Sequence, residues 1–157
     1  MNSSYIENLI LTACNVRNNA QAPYSNYFVG AAVLSENGDI YGGCNVERCS
    51  YTQTTHAEQN AIDSMVAAEG PVKIAALAVV AALQGISIKP ENFEKHAFVH
   101  DAHTRGCCGH CLQIIWENCN DDASVPLYFL KEDGKIYQTT IGTVFPYPFG
   151  PRDIYKK

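Results

Sequence analysis

The stretch from Lys73 to Leu83, KIAALAVVAAL, is almost continuously apolar once its lysine is passed. A run of that kind reads as a strand buried on both faces, although its alanines leave a helix as an alternative. A strand with no polar face needs covering layers on both sides, so the rest of the chain must supply helices for both faces of a sheet.

The flanking pattern supplies them. Tyr5 to Asn18 carries Ile6, Leu9, Ile10, Ala13 and Val16 at helical spacing, as an amphipathic helix requires. Tyr27 to Leu34 reads as a buried strand and Ile40-Tyr41 as a short partner, with Asn37-Gly38 between them as a hairpin turn. Gly42 to Thr54 reads as an irregular loop, and a helix follows from about Thr55 to Ala68, stopped at Glu69-Gly70-Pro71. Cys108 to Asn118 reads as another helix, and Pro126 to Leu130 and Lys135 to Thr140 as two strands turning at Asp133-Gly134. The order predicts a mixed sheet with helices on both sides.

At 157 residues, 46% of them hydrophobic and 17% charged, residues 1–157 have the size and composition of one folded domain. The net charge of -5 and the scattered Lys and Arg residues offer no footprint for a long polyanion, so a small neutral substrate is expected rather than nucleic acid. The amino terminus lacks a basic segment followed by an apolar run, and no stretch is long enough to span a bilayer, so a cytoplasmic protein is expected. The seven cysteines are odd in number, and Cys107, Cys108 and Cys111 crowd together, a pattern suited to metal or free thiols rather than to a disulfide framework.

A catalytic zinc takes three protein ligands and leaves one position for water. His56, Cys108 and Cys111 supply that number, and the i, i+3 cysteine spacing puts both sulfurs on one side of a helical turn whose amino terminus favours thiolates. Glu58, two residues from His56, points elsewhere on a helix and suits a general acid and base facing the open position. Blander readings stand beside these. Thr55-x-x-Glu58 is also a capping box, and a lone CxxC also serves redox pairs or half of a structural zinc site. Cys107 is either a rival ligand to Cys108 or a small buried hydrophobe.

His56-Ala57-Glu58 followed by Cys108-Gly109-His110-Cys111 resembles the zinc-dependent cytidine deaminase family, whose signature is H-x-E with a later P-C-x-x-C. The stretches from Ala22 to Ala32, Gly43 to Glu47 and Phe149 to Ile154 are similar to the family's versions in the same order. The resemblance implies a three-layer α/β/α fold with a mixed, mostly five-stranded sheet. It implies a Zn2+ held by His56, Cys108 and Cys111, with Glu58 as proton shuttle contacting N3 of the pyrimidine. It implies that Asn45 and Glu47 bind the ribose, that Tyr27 lies near the base, and that Phe149 packs on the base from a neighbouring subunit. A backbone N–H at Ala57 or Cys108 would help hold the base. A homotetramer is expected over a dimer, although a histidine ligand also occurs in larger dimeric relatives.

The chain departs from the pattern in three places. Cys107 replaces the usual proline, and Leu112 replaces an arginine common after the second cysteine. Fifty-two positions separate His56 from Cys108, where a helix, a strand and two short loops need roughly 30. The surplus falls at about residues 84–106, where an added segment is expected to overhang the active site. It carries His96, His100 and His103, either independent exposed residues or a second metal site.

The activity these features imply is hydrolytic deamination of cytidine or 2'-deoxycytidine to the uridine compound and ammonia, a step of pyrimidine salvage. The alternatives are a zinc deaminase of another aminated nucleoside or heterocycle, selected by the added segment, and a catalytically silent nucleoside-binding zinc module.

Overall fold

The structure, a computed structural model, describes residues 3–94, 97–104 and 106–154. Helix α1 (Ser3–Arg17) leads into a hairpin of β1 (Tyr27–Ser35) and β2 (Ile40–Cys44). Helix α2 (Ala57–Glu69) and strand β3 (Ile74–Leu83) follow, then a two-residue strand β4 (Val99–His100), helix α3 (Gly109–Asn118), β5 (Pro126–Leu130) and β6 (Ile136–Thr140). Short helices α4 (Ile141–Val144) and α5 (Pro151–Ile154) end the described chain. The alanine-rich stretch is therefore a strand.

The sheet runs β2-β1-β3-β5-β6-β4. Strands β3 and β5 are parallel, as are β4 and β6, and the remaining neighbours are antiparallel. It has six strands where mostly five were expected; the sixth, β4, lies within residues 84–106 and pairs with the outer edge of β6. Successive side chains of β3 divide between two cores, as strand geometry demands. Ala76, Ala78, Val80 and Ala82 pack with Ile6, Leu9 and Ile10 of α1. Leu77 and Val79 pack with Ala61, Ile62 and Met65 of α2 and Ile115 of α3. Leu77 is fully buried, and truncating such a side chain to alanine costs roughly 2–5 kcal/mol.

Gly42 and Gly43, read from sequence as the start of a loop, are the end of β2. The reason is packing: a Cβ on Gly43 would stand 2.3 Å from the backbone nitrogen of Ala61 and 2.7 Å from the carbonyl oxygen of Ala57. Helix α2 therefore lies directly on the strand backbone, and its first turn is fixed by that contact.

Residues 84–106 divide between the core and the site: Gly106, at their end, lines the cleft that also holds His56, Glu58 and Cys108. Ile88 and Phe98 are buried in the α1-side core with Phe93 packed against it, because large apolar side chains gain most where α1 leaves the sheet uncovered. The segment then pairs with the β6 edge as β4, and α3 follows from Gly109. His100 and His103 are exposed and join no metal-capable group among the described residues, and His96 lies outside those residues.

Candidate metal and nucleoside site

Two helix starts build the metal site. His56 is the N-cap of α2 and Cys108 the N-cap of α3, both with extended backbone and neither making a side-chain capping bond. The capping box expected at Thr55 is absent, since the helix begins at Ala57. The imidazole and sulfur are thereby free to face each other across the gap between the helices. His56 Nδ1 lies 3.4 Å from Cys108 Sγ and 3.3 Å from Cys111 Sγ. Tetrahedral zinc with ordinary ligand bond lengths would hold a nitrogen and a sulfur about 3.5 Å apart. The three ligand atoms lie within 4.8 Å of one another and are the group able to hold a metal among the described residues. Burial, then the Glu58 carboxylate and the Cys108 sulfur, push the Cys111 thiol far above its ordinary range. A cation between the sulfurs reverses that preference, and the partial positive ends of α2 and α3 act in the same direction. The donor set fits zinc.

Cys107 stands outside that metal-capable group. It packs against the α2 and α3 side of the core, and burial, followed by the charge of Glu58 beside it, raises its thiol well above the usual range. Leu112 packs in the same core.

Glu58, in the first turn of α2, is buried at 5% exposure and lines two clefts that both reach His56. One, of about 220 Å³, is walled by Ser25, Tyr27, Asn45, Glu47 and Ala57. The other, of about 520 Å³, runs over Val79, Ala81 and Phe129 to the turn at Lys131 to Asp133. Tyr27, Val29 and His56 border both. Ala57 is buried at the start of α2, where first-turn N–H groups have no partner within the helix.

The leading end of β1 holds the polar pair in the smaller cleft. Val29 N–H donates to Asn45 Oδ1 at 2.9 Å, and Asn45 Nδ2 donates to the Tyr27 carbonyl at 2.9 Å. Glu47 Oε2 accepts from the N–H groups of Tyr24 at 2.9 Å and Ser25 at 3.2 Å, and the Ser25 hydroxyl donates to Oε1. Burial alone would raise the Glu47 carboxyl, but these three donors outweigh it and hold its pKa below the ordinary value. Sequence reading did not single out Ser25, which holds Glu47, or His110, whose ring stands 5.4 Å from that of His56 and contacts Gln59 at 3.2 Å. Ser25 is one of a run of small and polar residues before a strand, and only the fold shows its hydroxyl accepting from Tyr27 N–H while donating to Glu47.

Phe149 lines neither cleft of its own chain. The residue is 59% exposed and its carbonyl accepts from Gln113 Nε2 at 2.6 Å.

Residues 3–125 match the family model described as the cytidine and deoxycytidylate deaminase zinc-binding region. The chain belongs to the cytidine deaminase family. A cytidine deaminase of Sporosarcina psychrophila is 36% identical over 149 residues, covering 95% of this chain and 94% of the relative. That of Halalkalibacterium halodurans is 32% identical over 146 residues, covering 93% and 95%. The crystal structure of cytidine deaminase from Burkholderia pseudomallei superposes with a TM-score of 0.70 at 30% identity, covering 91% of this chain and 98% of that one. As a zinc deaminase of this family, the chain uses the metal site described above, and the clefts beside it are open to a nucleoside.

Proposed function

We propose that this protein hydrolyses cytidine and 2'-deoxycytidine, with water, to uridine or 2'-deoxyuridine and ammonia. The observation that carries the reading is the position of Glu58, at the junction of the metal residues with a cleft lined by Asn45 and Glu47. Zinc bound by His56, Cys108 and Cys111 supplies the Lewis acidity that makes water a nucleophile at neutral pH. The Glu58 carboxylate takes a proton from the attacking water, delivers it to N3 of the pyrimidine, and moves a second to the departing amine. Its burial keeps bulk water from competing for those protons.

Asn45 and Glu47 hold the sugar hydroxyls, Tyr27 borders the base, and the free N–H at Ala57 holds its polar edge. Phe149 closes the site of a neighbouring copy within a homotetramer, a role supported by the exposure of Phe149 and Tyr147 on the carboxyl-terminal tail. Residues 1–157 form one domain, into which residues 84–106 are inserted. All seven cysteines are free thiols, and no helix among the described residues is long and apolar enough to cross a membrane. A reducing cytoplasm and a place in pyrimidine salvage suit such a chain.

Ammonia release from cytidine, 2'-deoxycytidine, adenosine, guanine and modified nucleosides tests the proposal. Release from the first two is expected; no release from cytidine at high enzyme concentration overturns it. Light scattering should give the mass of four chains, and a dimer contradicts the assembly.

A further inference from the structure

Arg17 closes α1 and is only 7% exposed. Its hydrogen bonds go to backbone carbonyls: Nε to Phe28 at 3.0 Å, Nη1 to Ile86 at 3.0 Å, and Nη2 to Ala82 and Leu83, both at 3.1 Å. A guanidinium withdrawn from water needs its donors met, and this one meets them on three stretches: β1, the end of β3 and the first turn of the added segment. The helix can come this close because β1 carries Gly30, where a Cβ would stand 2.1 Å from the Ala13 carbonyl oxygen and 2.7 Å from Arg17 Cβ.

Phe28 sits between the two residues that grip Asn45. Tyr27 C=O and Val29 N–H fix both ends of the Asn45 carboxamide on the site face, while Arg17 binds the intervening carbonyl from the α1 side. The neighbouring strand end is tied in by Gln84 N–H to the Asn26 carbonyl at 2.7 Å. We propose that Arg17 is a positioning residue for sugar recognition: through the Phe28 carbonyl it sets the leading end of β1, and with it the orientation of Asn45. The same side chain couples the first turn of residues 84–106 to that strand. This inference rests on Asn45 and Glu47 being the sugar-binding pair.

Steady-state kinetics of zinc-loaded enzyme on cytidine and on 2',3'-dideoxycytidine, which lacks the 2' and 3' hydroxyls, test it. The variants are Arg17→Lys, Arg17→Met, Asn45→Ala and Ile136→Val, with zinc content and Tm recorded for each. Arg17→Met should cut the preference for cytidine by roughly five- to tenfold, the share of one weakened hydrogen bond, chiefly through KM. Arg17→Lys should restore part of it. Ile136→Val, in the same α1-side core, should lower Tm and leave the preference unchanged. Should Arg17→Met fail to fold, Arg17→Lys decides. If Asn45→Ala lowers the preference while both Arg17 variants lower only Tm, the Arg17 inference is overturned and the sugar assignment stands. If Asn45→Ala leaves the preference unchanged, the sugar assignment fails and the Arg17 role falls with it.

Discussion

The metal half of the site and the half proposed to bind the sugar are held in different ways. His56 and Cys108 take their positions from the first residues of two helices packed on the sheet, and their side chains are committed to no capping bond. Asn45 and Glu47 lie beyond the end of β2 and are held by hydrogen bonds to Tyr24, Ser25, Tyr27 and Val29 on another strand and its approach. The first half is fixed by core packing and fails as a unit. The second is fixed by several small polar terms, so it should weaken in steps and respond to pH.

The metal half should give the largest effect. Cys111→Ala removes a buried ligand and should leave bound zinc near zero by atomic absorption, with turnover lost, while circular dichroism stays native because the substitution is small. Zinc retained at one per chain would show that the triad is not the metal site.

Asn45→Ala should keep zinc and lower kcat/KM for cytidine by roughly ten- to a hundredfold, the range of one or two hydrogen bonds to a bound ligand. An unchanged kcat/KM would remove the sugar half from the account.

Ser25→Ala should have a smaller effect, about tenfold or less, and one that depends on pH. Glu47 has a lowered pKa, so its carboxylate is present above the ordinary carboxylate range and lost as pH falls through the lowered value. Removing the Ser25 hydroxyl lets burial raise that pKa. The acid limb of the cytidine profile should move to higher pH, whereas the dideoxycytidine profile stays in place. Identical limbs in wild type and variant would show that Ser25 does not hold Glu47.

The same contrast explains how much was legible in the sequence. His56, Glu58, Cys108 and Cys111 stand out because metal chemistry allows few residue types and fixes their spacing on a helical turn. The central strand stood out because an apolar run has nowhere to sit except between two layers. The end of β2 did not: Gly42 and Gly43 look like loop residues until helix α2 is seen resting on them. The course of residues 84–106 was also illegible, because its apolar anchors Ile88, Phe93 and Phe98 follow no helix or strand period and are explained only by the part of the sheet that α1 leaves open. Ser25 and Arg17 act through backbone groups distant in sequence, and no local pattern marks such contacts.

The most direct test of zinc-dependent deamination with Glu58 as proton carrier is paired zinc and ammonia measurement on Glu58→Gln. The variant should bind one zinc per chain, fold as the wild type does, and release ammonia from cytidine on the order of a hundred- to ten-thousandfold more slowly. Wild-type turnover by a zinc-loaded Glu58→Gln enzyme would contradict the account.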